Sequence, residues 1–307
     1  LSTPLPDPFA TEVVVVPGWA DRGGLLCAYW AVVHGRPIVW LSESTRLDQP
    51  RRWWREWLKS RIVRLGCAAL VGGMRHRAYA HELGLPDGAI VQGMNIVDNA
   101  HFTTGASIVR EHADRRRRDM GLSNHFFLTS ARFVPVKNLF ALLEAHQVYS
   151  RNAPDSWPLV ILGDGPLRSE LERRATATSE VILPGYQQYG ELPVWYGLAS
   201  AFILPSISEP WGLVVNEAMA AGLPVLVSAR CGCAPDLVES GVNGYPFDPL
   251  NVKCMVDLMI KISALTEDER VRMGEASQAI IANWGPERFA DGLVQACRTA
   301  LAGPTPN

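Results

Sequence analysis

Within residues 201–228, two short apolar runs, AFILP and PVLVS, flank a helical stretch, GLVVNEAMAA, that is closed by Gly222 and Pro224. Glycine just past a helix and proline soon after it are stop signals. A strand–helix–strand unit of this length is a crossover, and crossovers join parallel strands. Parallel strands in turn need helices on both faces of their sheet. The same alternation recurs at residues 126–130, 159–162 and 181–183, so the second half of the chain predicts a doubly wound parallel α/β sheet.

The first half repeats the pattern. Residues 12–16 read as a buried strand, 18–24 as a glycine-bearing turn, 25–33 as a helix and 38–41 as the next strand. The turn GWADRGG lacks the Lys-Ser/Thr of a P-loop and the spaced glycines of a dinucleotide fingerprint, and it reads as a plain tight turn. Further strands are expected at 67–71 and 89–92, with a short helix at 76–83 closed by Gly84 and Pro86. The charged stretch EHADRRRRD at 111–119 reads as a solvated helix face or a linker. A domain boundary is placed just after it, giving domains at 1–122 and 123–285 and a closing helical segment at 286–307.

Residues 51–65, RRWWREWLKSRIVRL, combine tryptophans with six basic residues on one helix. Trp54, Leu58, Ile62 and Leu65 form an apolar stripe, while Arg51, Arg55, Lys59 and Arg61 fall largely elsewhere. Two readings stand: a helix that lies on an anionic membrane surface, or one that covers the sheet with its arginines solvated.

Composition narrows the function classes. Hydrophobic residues at 48% and charged residues at 20% are ordinary for a globular chain, and 307 residues suffice for two domains. No run nears the ~18 uninterrupted apolar residues of a membrane span. A net charge of -2 argues against general nucleic-acid binding, which leaves small molecules as the expected partners. Six scattered cysteines, at 27, 67, 231, 233, 254 and 297, favour a reducing, cytoplasmic setting. Cys231 and Cys233 form a C-G-C that reads either as metal or redox chemistry or as structure, and no second pair at zinc-like spacing accompanies it. The chain opens on Leu1 followed by loop-like STPLPDP, without a signal-peptide pattern, and residues of the full gene are expected to precede it.

Residues 201–236 also carry the chemistry. Glu209 falls in the loop at the carboxyl end of a strand, where open α/β sheets bind ligands, and Glu217 about a turn and a half into the helix. The free N–H groups of Trp211, Gly212, Leu213 and Val214 make a seat for an anion such as phosphate. Glu209 would repel that anion unless it faced a polyol or a developing cation, and a sugar supplies both. Taken alone, the two glutamates also read as surface residues flanking a crossover.

SEPWGLVVNEAMAAGLPV, with APDLVESGVNGYPFDP after it, resembles the donor-site motif of retaining glycosyltransferases of the GT-B fold, the glycosyl transferases group 1. The resemblance implies two Rossmann-like domains facing a cleft, with the last helix crossing back to the first domain. It implies transfer of a sugar from a nucleoside-diphosphate sugar, with retention and without a cofactor or metal; no Asp-x-Asp motif is present. ARFVPVKNL resembles the segment that places Arg132 and Lys137 on the donor diphosphate. Glu209 is then expected by the transferred sugar and Glu217 at the ribose. Backbone groups of Trp211, Gly212 and Leu213 would serve the phosphates, and the loops at Gly163 and at Gly185-Tyr186 would line the pocket. The implied partners are a nucleotide-sugar donor and a carbohydrate, lipid-linked or small-molecule acceptor, with peripheral contact at the inner face of a membrane through residues 51–65.

Two departures from that pattern concern the first domain. Its amino-terminal strands and glycine loop are missing from the sequence, and the position of an expected histidine reads Leu41-Ser42-Glu43-Ser44. Ser42 or Glu43 replaces it on the acceptor side, or Glu43 is an exposed strand-end residue. Alternatives to a transferase are a non-catalytic nucleotide-sugar-binding or scaffolding protein and, third, an epimerase or phosphorylase on the same fold.

Overall fold

The computed structural model describes residues 11–19, 21–48, 52–176 and 180–303. The opening STPLPDP, Ala20 of the glycine-bearing turn and Arg51 of the basic helix lie outside these residues. In chain order the elements begin β1 (Val14–Pro17), α1 (Arg22–Val33), β2 (Ile38–Ser42), α2 (Trp53–Val63), β3 (Ala68–Val71), α3 (Met74–Glu82), β4 (Ile90–Gln92), α4 (Asn99–Arg110) and α5 (Ala113–Asp119). They continue with β5 (Phe127–Ser130), α6 (Leu139–Asn152), β6 (Leu159–Leu162), α7 (Arg168–Ala175), β7 (Val181–Gly185), α8 (Leu192–Leu198), β8 (Ala201–Leu204), α9 (Leu213–Ala220) and β9 (Val225–Ser228). The last are α10 (Ala234–Leu237), β10 (Gly244–Phe247), α11 (Val252–Ser263), α12 (Glu267–Ile281) and α13 (Pro286–Leu301).

The chain divides into two compact units, residues 1–96 with 286–307 and residues 97–285. In the first, four parallel strands lie in the order β1-β2-β3-β4. Successive strand residues point to opposite faces, and the packing follows that rule. Ile38, Trp40, Ala69 and Val71 join Ala28 of α1, Val63 of α2 and Tyr79 of α3 in one cluster. Val39, Ala68 and Leu70 face the other way and pack with Ala296 and Ala300 of α13.

The second unit repeats the scheme with six parallel strands in the order β10-β9-β8-β5-β6-β7. Leu128, Val160, Phe202 and Val225 meet α4, α8 and α9 on one face. Phe127, Leu159, Ile203 and Leu226 meet α6 and α11 on the other. The strands are buried on both sides, and each fully buried Val, Leu or Ile contributes roughly 1.5–3 kcal/mol.

Three expectations change. The boundary expected after residue 122 falls between residues 96 and 97 instead. Phe102, Ala106 and Val109 of α4 are buried in the cluster of the second unit, and the Thr103 hydroxyl donates to the Ala220 carbonyl at 2.8 Å. Of the two readings of the charged stretch, the solvated helix holds: α5 buries none of its residues, and Arg117 donates from Nη2 to the Leu198 carbonyl at 2.9 Å. Gly23 and Gly24, read as turn, sit in the first turn of α1 because the Asp21 carboxylate caps it, accepting from Gly24 N–H at 2.9 Å. On α2 the inward side is formed by Val63 and Ile62 with Glu56, Lys59 and Ser60, and Trp54, Leu58 and Leu65 of the stripe are exposed.

Candidate functional site

The loops that leave β5, β6, β7 and β8 at their carboxyl ends converge on one edge of the second sheet. Backbone contacts hold them there. The Phe133 N–H donates to the Asp164 carbonyl at 2.8 Å, Gly163 N–H to the Gly185 carbonyl at 2.9 Å, and Ile207 N–H to the Val136 carbonyl at 2.8 Å. Gly163 has φ 125°, and a Cβ there would overlap the Ala131 carbonyl oxygen, so the close approach of the β5 and β6 loops requires glycine.

The Ile207–Val136 bond brings together two charges that are distant in the chain. Lys137, in a single 3₁₀ turn after β5, donates from Nζ to Oε2 of Glu209, in the loop after β8. Their side chains are 19% and 13% exposed, so the pair is screened less than a surface salt bridge. Ser206 Oγ also donates to Glu209 Oε2, at 3.3 Å. The C-G-C segment supplies the rail beneath: Gly232 N–H donates to the Glu209 carbonyl at 3.0 Å and Cys233 N–H to the Trp211 carbonyl at 3.2 Å. Both cysteines are buried free thiols, and burial pushes the Cys233 thiol well up. Among the described residues no group of His, Cys, Asp or Glu has the arrangement of a metal site. Through its two backbone hydrogen bonds the C-G-C holds the glutamate loop.

Gly212 caps α9 at φ 104°, a left-handed conformation that a side chain would strain. The Leu213 and Val214 N–H groups precede the first intrahelical bond, Val215 N–H to the Gly212 carbonyl at 2.8 Å, and stand at the positive end of the helix. Trp211 is buried: its indole N–H donates to Asn216 Oδ1 at 2.9 Å and its ring packs on Trp284 with centroids 5.0 Å apart. Only the backbone of Trp211 is available to the site, whereas Leu213 is exposed.

Glu217 has a different partner from Glu209. It is half-buried on α9 and accepts a hydrogen bond from the Tyr196 hydroxyl at 2.7 Å. Loss of hydration pushes its pKa up from 4.5 to about 7, against the opposing hydrogen bond from Tyr196. Burial and the neighbouring Glu217 charge raise the Tyr196 phenol well above its ordinary value. Arg132 is exposed just after β5, and its guanidinium makes no hydrogen bond or ion pair with a described residue. Tyr186 is 67% exposed beside Gly185.

In the first unit, Ser42 ends β2 buried, with its hydroxyl accepting from Ser44 N–H at 3.1 Å. Glu43 is more accessible and accepts from Nδ2 of Asn95. His76, buried at the start of α3, accepts through Nδ1 from Gly73 N–H at 3.1 Å. Sequence reasoning missed Ser206, Tyr196 and His76. Ser206 lies within residues 201–236 and was within reach, while the contacts of Tyr196 with Glu217 and of His76 with Gly73 carry no sequence signal.

A sequence model of the family described as "Glycosyl transferases group 1" matches residues 112–279. The sulfoquinovosyl transferase SQD2 of Arabidopsis thaliana is 38% identical over 125 residues, which cover 39% of this chain and 24% of that protein. A D-inositol 3-phosphate glycosyltransferase of Pseudarthrobacter chlorophenolicus is 31% identical over 276 residues, covering 85% of this chain and 62% of the relative. The chain thus spans less than two thirds of the length of these curated relatives. Among solved structures, Anabaena Alr3699/HepE in complex with UDP and glucose superposes with a TM-score of 0.71 at 19% identity, covering 94% of this chain and 77% of that one. Sucrose-phosphate synthase of Thermosynechococcus elongatus gives 0.73 at 19% identity, covering 95% and 74%. These likenesses show the GT-B fold, with two Rossmann-like units.

Proposed function

Because the chain belongs to the glycosyl transferases group 1 family, we propose that it transfers a sugar from a nucleoside-diphosphate sugar to an acceptor hydroxyl, with retention and without a metal. The observation that carries this is the pairing of Lys137 with Glu209 beside the start of α9. A departing diphosphate gains negative charge, and cations held at that point lower the barrier more than they stabilise the bound substrate. Lys137 and Arg132 supply those cations, and the Leu213 and Val214 N–H groups add the helix terminus. Glu209 stays beside the sugar, where it accepts from hydroxyls and stabilises positive charge at the anomeric carbon. Glu217, oriented by Tyr196, accepts from the ribose, while Gly163, Gly185 and Tyr186 line the pocket. Structural neighbours solved with UDP, or with UDP and glucose, support a nucleotide-sugar donor.

In the retaining step the acceptor oxygen attacks the anomeric carbon on the face from which the diphosphate leaves. The acceptor proton passes to the departing phosphate oxygen. Turnover with a panel of nucleotide sugars, followed by NMR of the product anomer, tests the reading. An inverted product would overturn the stereochemistry, loss of turnover in EDTA would overturn metal independence, and full activity of Glu209→Ala would overturn the site.

On the same reading α2 meets an anionic lipid surface that carries the acceptor. Trp53, Trp54, Trp57 and Leu58 are 83%, 46%, 58% and 50% exposed, and the guanidinium groups of Arg55 and Arg61 lie 5.1 and 5.0 Å from the ring centres of Trp54 and Trp57. Exposed tryptophans flanked by arginines suit the interface of an anionic bilayer. No helix among the described residues is long and apolar enough to cross a membrane. Sedimentation with phosphatidylglycerol vesicles but not phosphatidylcholine vesicles is expected, and Trp53→Ser with Trp57→Ser should abolish it; equal recovery of that variant would refute the contact.

A further inference from the structure

A cavity of about 630 Å³ opens in the second unit away from the site above. Its wall includes Asn124 and His125 before β5, Ser200 before β8 and Pro224 before β9, so it lies at the amino-terminal edge of the sheet. Lys137 and Glu209 belong to the opposite, carboxyl-terminal edge. Three guanidinium groups line it: Arg110 at the end of α4, Arg117 on α5 and Arg270 on α12.

Each arginine has one structural task. Arg110 Nη2 donates to the Ala221 carbonyl at 2.6 Å, Arg117 Nη2 to the Leu198 carbonyl at 2.9 Å, and Arg270 Nη1 to the Leu265 carbonyl. The first two of these carbonyls end helices α9 and α8, where a cation complements the helix dipole. That task uses one N–H of five. Arg270 is further matched by Glu267. Arg117 has Asp114 at 3.8 Å, but that carboxylate is 82% exposed and screened by water, and Arg117 Nε is buried without a hydrogen-bond partner. Arg110 makes no ion pair with a described residue.

We propose that this cavity is a second ligand site, at which Arg110 and Arg117 bind the phosphate of a small phosphorylated polyol. Two guanidinium forks suit phosphate oxygens better than any single hydroxyl. The acidic groups stand at the rim: Glu267 is 70% exposed, and Asp114 and Glu275 are exposed too. Carboxylates there accept from hydroxyls and disfavour a ligand charged along its whole length, which selects one phosphate on a polyol body. The electrostatics agree. Burial holds the Arg110 and Arg117 guanidinium groups below their usual range, and for Arg110 the Arg117 charge adds to it, while Glu267 acts in the opposite sense. Burial also lowers His125, followed by the charge of Arg270, with Glu267 again opposing. An anion between these groups would relieve their repulsion. The cavity and the proposed transfer site lie at opposite edges of the sheet and share no residue, so the two readings stand or fall separately.

The test is binding of glucose 6-phosphate, inorganic phosphate and glucose to the full chain by calorimetry. Glucose 6-phosphate is expected to bind wild type and Lys137→Ala equally, at least tenfold more tightly than inorganic phosphate, with glucose silent. Arg110→Gln and Arg117→Gln should each weaken it tenfold or more. Because both arginines close helix ends, hydrogen exchange of the wild-type chain provides a readout that needs no variant, with added protection expected in α5 and α12. No binding, binding unchanged in both variants, binding lost in Lys137→Ala, or protection confined to the loops after β5 and β8 would each overturn the proposal.

Discussion

Glu217→Gln is the substitution whose effect follows most directly from the structure. The wild-type carboxyl titrates at about 7 in the folded protein against an ordinary 4.5, because its hydration is lost on α9. Between these values the folded state holds a proton that the unfolded state has released, so stability falls as pH rises through that window. The contribution is greatest below pH 4.5 and fully lost above pH 7. A tenfold change in proton affinity is about 1.4 kcal/mol, so the whole loss is about 3 kcal/mol. Between pH 5 and pH 8 roughly 2.5 kcal/mol of it should be seen. Glutamine still accepts from the Tyr196 hydroxyl and does not titrate, so it removes the dependence while keeping the contact. For a unit of this size the difference corresponds to roughly 5–10 °C in Tm. His125 and His146, both lowered by burial, tilt stability the other way in either protein, and subtracting one curve from the other cancels them. The assay is thermal unfolding of both proteins at half-unit steps from pH 5 to pH 8. The variant should gain on the wild type steadily as pH rises; a constant offset would show that Glu217 is not desolvated and would refute the reasoning.

Other substitutions probe the frame of the site. Lys137→Met leaves Glu209 partly buried without its cation and removes a charge from the departing phosphate; a loss of kcat of about 100-fold or more is expected in steady-state kinetics. Gly163→Ala places a Cβ against the Ala131 carbonyl oxygen at a positive φ, and urea unfolding should show a loss of roughly 2 kcal/mol or more. Asp21→Ala removes the cap of α1, and about 1 kcal/mol should be lost in the same assay without an effect on nucleotide-sugar binding.

Much of the fold was legible because parallel α/β units are locally consistent. The strands at 38–41, 67–71, 89–92 and 159–162 were each placed within about a residue of their observed bounds, since each is short and largely apolar, and glycine follows the last three. The boundary was not legible. Charge density in EHADRRRRD signals exposure on average, but Arg117 uses its long side chain to reach the end of α8, and α4 buries Phe102 and Ala106. The stripe of Trp54, Leu58, Ile62 and Leu65 has the spacing of a buried face, yet Ile62 packs inward while the other three are exposed, and Glu56, Lys59 and Ser60 turn inward, bonded to the Tyr79 hydroxyl and the Leu83 carbonyl. Periodicity marks a face; it does not say which partner covers it.

By itself, the chain order determined the crossover at residues 201–228, the glycine-capped start of α9 and the presence of Glu209 and Lys137 in strand-end loops. Each of these is set by interactions within a few residues. Only the tertiary structure decided which of those groups meet. Lys137 pairs with Glu209 across 72 residues, Asn95 with Glu43 across 52, and Tyr196 with Glu217 across 21. The physical reason is that charge pairing and desolvation depend on distance in space and on what excludes water. Both are fixed by the order in which the strands are laid side by side.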